Sequence, residues 1–489
     1  MSKASGPSEG HSSIRRGFLW LGAASVVARV LDTSSVLVVM WFVSREQIGL
    51  ATLAWSVAVF LEAMNGLGLN AALLQTKDIT DERLTAAFWY IMGIATVVIT
   101  LVCASAGLLA GWYGEPLLGP MLMVAVTKLW FVGAALIPLN QLNRATQFER
   151  IAAVSTVATL CSGLLTCALA VLGFQAWSLV IGQASHGLFT CIGANLAHPF
   201  RPRGAPRFEL IRGEIKFGIK AASASIIYNF YRNADYYLIG RLLGAGAVGV
   251  YRVAFDVAMQ PTIAVLTVVN RSALPVYARL SEDLSALRSA FLWTLKSLGL
   301  LLAPVTAVLV FYADDLLRWV NKGQWLDAAP MVRWLALAAF LRSIAQTFPQ
   351  LFYALKRPSL ALFDSLLTMM LLIGLLFLML LVWGPTLGPL PATWAWAALA
   401  PISFIVLSAI TRSLIPVSAG DLARSLGPAL GGMAIMSAVA LPYAWLVRPH
   451  MSPWLAAPLG VTLVLGSFAA YVRGVLGIRL SNLSARTPV

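Results

Sequence analysis

The sequence has few charged residues for its length. Of 489 residues only 11% are Asp, Glu, Lys or Arg, whereas 59% are hydrophobic. A soluble domain needs a larger polar fraction to keep its surface in water. Apolar runs of about 20 residues, long enough to cross roughly 30 Å of hydrocarbon, recur along the whole chain. These proportions exclude a soluble globular protein and predict an integral membrane protein.

Motifs that carry bond chemistry are also missing. The four cysteines lie within apolar runs, and the four histidines show no metal-ligand spacing. No phosphate-binding glycine loop, nucleotide motif, haem ligand pair or nucleophile elbow is found. We therefore predict no metal, no cofactor and no enzyme activity, and the sequence excludes ATP-driven transport by this chain alone.

The apolar runs predict an all-α membrane protein with about fourteen transmembrane helices. Short polar gaps separate the runs, and none of these gaps is long enough to fold as a separate domain. The predicted spans 1 to 14 are 17–43, 48–74, 84–111, 117–140, 151–172, 175–198, 214–240, 248–270, 289–311, 329–354, 360–383, 391–411, 425–447 and 453–476.

The basic residues are divided unevenly between the two sides of the membrane. The net charge is +15, yet only a few of the 35 Lys and Arg residues fall in loops on the side opposite the N-terminus. These are Arg45, Arg241, Arg318, Lys322 and Arg448. Most others lie in the tails and loops of the N-terminal side, and basic loops stay in the cytoplasm. We therefore expect both termini in the cytoplasm, contact with membrane lipids and no nucleic acid partner.

The chain contains a weak internal repeat. A shift of 200 residues places AASVV at 23–27 on SASII at 223–227, Gly49 on Gly249, and LAWSVA at 53–58 on VAFDVA at 253–258. The shift aligns span 1 with span 7 and span 2 with span 8, so six helices are repeated in the same orientation. Transporters use such parallel repeats to build two lobes around a central site.

The repeat predicts six segments along the chain. Residues 1–16 form a cytoplasmic tail, 17–198 an N-lobe of spans 1 to 6, 199–213 a basic cytoplasmic loop, and 214–411 a C-lobe of spans 7 to 12. Residues 412–476 hold the two remaining helices, and 477–489 form a second cytoplasmic tail.

Ionisable residues within the spans are the best indication of function, because a charge in hydrocarbon is costly unless it faces water or a partner. They concentrate in spans 1, 2, 7 and 8, and three arginines lining a shared cavity would suit a phosphate or pyrophosphate. The candidate substrate-binding residues are Arg29, Arg232 and Arg252 for phosphate and Tyr228, Asn229 and Asn233 for sugar hydroxyls. The candidates for ion coupling or charge pairing are Asp32, Glu62, Asp235 and Asp256.

The same residues admit a structural interpretation. Three Arg–Asp pairs stand one helical turn apart and would then be closed ion pairs that hold helices together: Arg29 with Asp32, Arg232 with Asp235, and Arg252 with Asp256. Glu62 has no cation on its own helix, so it is either a proton or sodium site or the partner of a group on a neighbouring helix. The sequence leaves both interpretations open.

Several short segments carry a resemblance to a known family. They are GFLWLGAASVVARVLD at 17–32, Gly49, GLGL at 66–69, NQLNRATQF at 140–148, DYYLIGRLLGAGAVGVYR at 235–252, Pro275 with 280–283, and GQWLDA at 323–328. With these segments the chain resembles the polysaccharide transporter family of the multidrug, oligosaccharidyl-lipid and polysaccharide exporter superfamily. This family includes bacterial O-antigen and exopolysaccharide flippases.

The resemblance implies a transporter of the bacterial inner membrane with two six-helix lobes that alternate between inward and outward openings. Its cargo would be an undecaprenyl-pyrophosphate-linked oligosaccharide repeat unit. Because the sequence has no ATP site, an H⁺ or Na⁺ gradient, the membrane potential or the gradient of the cargo itself would drive transport. Arg29 matches by placement the helix 1 arginines that receive pyrophosphate in related flippases, and spans 13 and 14 match a groove for the polyprenyl tail. Further candidate partners are the polymerase and export machinery of glycan assembly.

Two other functions compete with this prediction. A drug or metabolite cation antiporter would share the architecture, although cavity arginines disfavour a cationic cargo. A membrane enzyme or a scaffold of glycan assembly is the second alternative. An enzyme would need a sizeable catalytic loop, which the sequence lacks, and a scaffold would tolerate the loss of every charge within the spans.

Overall fold

The computed structural model describes residues 34–62, 64–65, 69, 72–73, 76, 79–320 and 323–477, and these residues form helices and connecting turns without a strand. The helices are α1 (34–42), α2 (Arg45–Glu62), α3 (Asp81–Tyr113), α4 (Leu118–Val126), α5 (Lys128–Arg144), α6 (Phe148–Val171), α7 (Ala176–Ala197), α8 (Arg212–Arg232), α9 (Ala234–Leu243), α10 (Ala245–Arg279), α11 (Leu284–Trp319), α12 (Ala329–Ala345), α13 (Thr347–Ala354), α14 (Pro358–Leu387), α15 (Leu390–Leu414), α16 (Ala419–Pro442) and α17 (Pro453–Gly474).

The helical segments that are long and apolar enough to cross a bilayer coincide with predicted spans. Within the described residues there are nine, starting at Asp81, Leu118, Phe148, Leu284, Leu326, Pro358, Leu390, Ala419 and Trp454. They correspond to spans 3 to 5 and 9 to 14. The chain is therefore an all-helical, multi-pass membrane protein, as the apolar runs predict.

Three spans that the sequence predicts as single helices consist of two helices each. Span 4 is α4 and α5, separated at Thr127; span 7 is α8 and α9, separated at Asn233; and span 10 is α12 and α13, separated at Gln346. Broken helices within a membrane leave backbone groups that only a buried or water-lined position can satisfy. Two of these breaks lie beside charged residues described below.

Local capping explains where several helices begin and end. The Thr80 side chain accepts from the N–H of Arg83 at the start of α3, and Gly114 ends that helix in a left-handed conformation, with φ 72°. Asp283 accepts from Ser285 N at the start of α11. Ser418 and Asp421 form a reciprocal capping box at the start of α16.

The contacts of the chain divide it into two compact units, Met1–Gly249 and Val250–Val489. The first unit has a buried apolar cluster that includes Leu69, Leu84 and Ile137, and Ile211 from the 3₁₀ turn within the basic loop also packs into it. The six-segment division of the chain stays a prediction.

The second unit has a larger core with an aromatic centre. Phe291 and Phe348 meet edge to face at 5.2 Å between ring centroids, and Phe404 packs against Phe348 at 5.7 Å. Tyr277 packs against Phe291 from α10 at 6.2 Å. Leucines of α11 surround these rings, so α10, α11, α13 and α15 share one apolar interior.

Two glycines allow α2 to cross the first turns of α10 at very short distance. A Cβ on Gly49 would lie 1.7 Å from the carbonyl oxygen of Ala245, and a Cβ on Gly249 would lie 1.9 Å from that of Arg45. Only glycine tolerates such backbone contact. Both the two glycines and the two carbonyl residues are related by the 200-residue shift, so the crossing is symmetric and supports the internal repeat.

Candidate functional site

The described residues include most of the predicted site. Arg29 and Asp32 lie outside them, as does the side chain of Tyr228. Among the others, the first unit holds Glu62, Asn229, Arg232, Asn233 and Asp235, and the second unit holds Arg252 and Asp256. The predicted cavity that would join these residues stays a prediction.

In the first unit, Glu62 pairs with a cation from another helix. Lys128 Nζ lies 2.8 Å from Glu62 Oε2, and the side chains are 9% and 33% exposed respectively. The Lys128 ammonium also lies over the ring of Trp55, 4.4 Å from its centroid. Glu62 is therefore not a lone carboxylate. In this conformation its partner is a cation on another helix, which is one of the two interpretations that the sequence left open.

The helix break at Thr127 and a small residue on α7 position Lys128. Lys128 is the first residue of α5, directly after the break. Gly187 leaves room for its stem, since a Cβ at that position would lie 2.8 Å from Lys128 Cγ. His186, also on α7, interacts electrostatically with both Lys128 and Glu62. Three titratable groups from three helices thus share one region of the first unit.

Arg232 and Asp235 flank the break in span 7 rather than lying on one continuous helix. Asn233 separates α8 from α9 with φ −112° and ψ 8°, and its Nδ2 donates to Asn229 O at 2.9 Å. Arg232 lies in the last turn of α8, and the buried Asp235 lies in the first turn of α9. Each charge therefore complements the dipole of its own helix end.

Aromatic contacts hold this broken span against α2. Tyr237 OH on α9 donates to Ser56 O at 2.8 Å. Phe230 on α8 meets Phe60 on α2 at 5.7 Å between ring centroids and contacts Tyr237 at 6.0 Å. The break and the helix that carries Glu62 are thus packed together within the first unit.

In the second unit, Arg252 and Asp256 form an ion pair one turn apart on α10. Arg252 Nε lies 2.7 Å from Asp256 Oδ2, and the side chains are 26% and 9% exposed respectively. The neighbouring Tyr251 is buried, and its hydroxyl accepts a hydrogen bond from Trp396 Nε1 at 3.0 Å. In this conformation Arg252 and Asp256 are therefore a closed ion pair, as the structural interpretation of the sequence proposes.

Lys296 was not among the site residues predicted from the sequence. It follows Leu284, the first residue of α11, by twelve residues, which is about 18 Å along the helix, and it lies inside predicted span 9 at 289–311. In the part of the chain that the structure describes, no carboxylate pairs with Lys296. Its position within an apolar span is the signal that could have identified it.

Arg342 of α12 is a second cation that the sequence analysis passed over. Its Nη1 is buried without a hydrogen-bond partner. Asp364 on α14 interacts with it electrostatically but accepts its hydrogen bond from Thr368. The second unit thus contains two intramembrane cations that no carboxylate neutralises by direct contact among the described residues.

Metal-ligating side chains do not gather into a metal centre in the part of the site that the structure describes. Over the described ranges, no group of three or more His, Cys, Asp or Glu side chains could hold a metal ion. The four cysteines are free thiols rather than disulfides.

Proteins that resemble this chain in sequence include members named for polysaccharide biosynthesis or transport. A family described as "Polysaccharide biosynthesis protein" matches residues 38–330. The chain is 27% identical over 363 residues to the teichuronic acid biosynthesis protein TuaB of Bacillus subtilis (strain 168), covering 71% of this chain and 72% of TuaB. It is 22% identical over 342 residues to the succinoglycan biosynthesis transport protein ExoT of Rhizobium meliloti (strain 1021), covering 70% of this chain and 69% of ExoT.

Solved structures share the fold. The lipid II flippase MurJ in an inward closed conformation superposes with a TM-score of 0.74, covering 94% of this chain and 100% of MurJ at 12% identity. An inward-facing multidrug resistance transporter of the MATE family and MOP superfamily gives a TM-score of 0.63, covering 80% of this chain and 96% of that one at 14% identity. At these identities the likeness concerns the fold alone.

Proposed function

The chain belongs to the polysaccharide biosynthesis protein family, and we propose that it is a flippase that moves a lipid-linked oligosaccharide repeat unit across the bacterial inner membrane. The cargo we propose is linked through undecaprenyl pyrophosphate and serves exopolysaccharide or O-antigen synthesis. Relatives named for succinoglycan transport and teichuronic acid biosynthesis support this class of cargo. The shared fold with a lipid II flippase supports the transport of a lipid carrier.

The observation that carries the proposal is the intramembrane charge of the second unit. Keeping an ammonium group within a membrane span without a carboxylate is costly, so Lys296 requires water or an anionic ligand. A phosphate or pyrophosphate supplies that anion, and an ammonium binds it as a compact point charge. Arg342, whose Nη1 also has no hydrogen-bond partner, adds to the same preference. Both groups disfavour the cationic cargo of a drug antiporter.

The arginines predicted from the sequence take the remaining contacts with the cargo. Arg252 is paired with Asp256 in this conformation. To bind the phosphate of the cargo, Arg252 would therefore release Asp256 during transport. Arg29 and Arg232 would act on the same head group, and Tyr228, Asn229 and Asn233 would bind sugar hydroxyls.

Ion coupling would use the pair of Glu62 and Lys128. One third of the Glu62 side chain is exposed while Lys128 is buried, so an H⁺ or Na⁺ would reach the pair from the side of Glu62. Protonation or sodium binding at Glu62 would weaken its hold on Lys128 and free the break at Thr127 to rearrange. Asp32, Asp235 and Asp256 remain further candidates for coupling or pairing.

The test is transport by the full chain in proteoliposomes loaded with an undecaprenyl-pyrophosphate-linked oligosaccharide. Lys296→Gln removes the unpaired cation and should slow flipping at least about tenfold, since charge-assisted contacts of this kind contribute on that scale. Lys356→Gln is the matched control, because Lys356 is exposed in a turn outside the spans, and it should flip at the wild-type rate.

Three results would overturn parts of the proposal. Wild-type liposomes that do not flip the glycan lipid would reject the function. Equal rates for Lys296→Gln and wild type would reject the role of Lys296. Exchange of a cationic drug for protons, without glycan flipping, would establish the antiporter instead.

A further inference from the structure

A cavity of about 360 Å³ opens at one end of the second unit. Its lining includes Asp315 and Arg318 from the end of α11, and Arg448 and Met451 from the connection between α16 and α17. The local chain is irregular here, because α11 kinks at Tyr312 and a π-helix spans Tyr443–Val447. Charged side chains of separate helices therefore converge on one cavity.

The cavity carries a net positive charge. Arg448 Nη2 lies 2.7 Å from Asp315 Oδ1, and this carboxylate is almost fully buried at 2% exposure. Arg318 also lies within electrostatic range of Asp315. Asp314, the adjacent acid, pairs instead with Arg333. Two guanidinium groups thus face one carboxylate, which leaves one positive charge for a ligand.

The surroundings place the cavity at the depth of lipid head groups. Trp319 stacks on Trp454 with a 7° angle and 6.0 Å between ring centroids. Trp454, Trp445 and Leu446 are between 70% and 82% exposed. Exposed tryptophans beside apolar side chains are typical of the membrane interface. Arg318 and Arg448 also belong to the few basic residues predicted on the non-cytoplasmic side.

We propose that this cavity binds the phosphate group of a lipid, with Arg318 and Arg448 as its donors. Guanidinium groups match phosphate oxygens in geometry and charge. The exposed tryptophans and leucines beside the cavity provide an apolar surface for acyl or polyprenyl chains. The site differs from the intramembrane charges proposed for cargo binding, so its existence does not depend on the proposed function.

The experiment measures binding to the full-length protein in detergent by native mass spectrometry. The probes are phosphatidylglycerol, undecaprenyl phosphate and inorganic phosphate. At least one of the two lipids should bind, and Arg318→Gln should weaken its binding at least about tenfold. Arg473→Gln removes an exposed arginine at the far end of α17 and should bind the lipid as the wild type does.

Asp315→Asn should change lipid binding in the opposite direction. It removes the carboxylate that competes for Arg448, so lipid binding should become tighter although the ion pair is lost. A purely structural role for these residues predicts lower thermal stability and unchanged binding, which would overturn the proposal. Arg318 is exposed, so Arg318→Gln remains informative if a change at Arg448 prevents folding.

The probes also separate the possible sources of the phosphate. Phosphatidylglycerol binding supports a resident lipid, whereas selective binding of undecaprenyl phosphate supports a carrier lipid at the same site. Inorganic phosphate that binds as tightly as either lipid would overturn the lipid part of the proposal. Equal lipid binding by Arg318→Gln and Arg473→Gln would overturn the site itself.

Discussion

Replacing Lys128 with methionine leaves Glu62 without its cation inside predicted span 2. At 2.8 Å and an effective dielectric constant of about 20, the direct attraction is roughly 6 kcal/mol. Removing one partner of a buried pair costs about 3–5 kcal/mol in proteins. Because the Glu62 side chain is 33% exposed rather than buried, we expect the lower end, about 3 kcal/mol.

A double-mutant cycle isolates the interaction. Lys128→Met and Glu62→Gln should each destabilise the protein, whereas the double variant should cost no more than about 3 kcal/mol, because neither charge is left alone. Free energies of unfolding would be measured by titration with sodium dodecyl sulfate, followed by circular dichroism.

The chain offers its own control for this cycle. Arg207 and Glu82 are 3.5 Å apart but 71% and 65% exposed, and a cycle on this pair should give a coupling of about 0.5 kcal/mol or less. A similarly small coupling between Glu62 and Lys128 would refute the claim that they form an energetically important pair.

Further predictions concern packing and pH. Gly49→Ala should destabilise by about 1–3 kcal/mol, because its Cβ would overlap a carbonyl oxygen. Gly107→Ala, with open space around the new methyl group, should be neutral or slightly stabilising. Tyr251→Phe should cost about 1–3 kcal/mol by leaving the indole N–H of Trp396 unsatisfied in the core. All three effects would be measured by unfolding titrations of the protein in detergent. Hydrogen bonds from the backbone at the start of α11 hold the pKa of Asp283 below its usual range. The ionised Asp283 therefore stabilises the fold above its usual pKa, and this stabilisation should be lost as the pH falls through the lowered pKa. In a pH series of melting temperatures, Asp283→Asn should not show this loss of stability in acid.

The transmembrane helices were largely predictable from the sequence, because continuous apolar runs have one stable form in lipid. The run predicted at 360–383, for example, is the helix Pro358–Leu387. The positions of the breaks were not predictable. Pro304 does not interrupt α11, whose kink lies at Tyr312 instead, and span 4 breaks at Thr127, which is not a proline.

Contacts from other helices explain why such breaks escape prediction. Asn65 Nδ2 donates to Leu129 O at 2.9 Å, next to the break at Thr127. Neighbouring helices can satisfy backbone groups in this way, and a sequence pattern that describes one helix at a time does not show such partners.

In the candidate site, too, contacts within one helix were predictable and contacts between helices were not. The pairing of Arg252 with Asp256 lies within one helix, so their spacing of four residues was enough to suggest it. The partner of Glu62 comes from a distant helix, and helical periodicity has no information about that contact. Lys296 is a charge within an apolar span of the sequence, but it lies outside spans 1, 2, 7 and 8, where the other charged residues concentrate.

The central claim is that the chain carries a lipid-linked glycan from the cytoplasmic to the outer face of the inner membrane. The most direct measurement is the location of that lipid in cells that lack the gene. The claim predicts that undecaprenyl-pyrophosphate-linked repeat units accumulate on the cytoplasmic face, and that the wild-type chain, but not Lys296→Gln, restores export. Normal surface glycan without accumulation of the lipid-linked unit would contradict it.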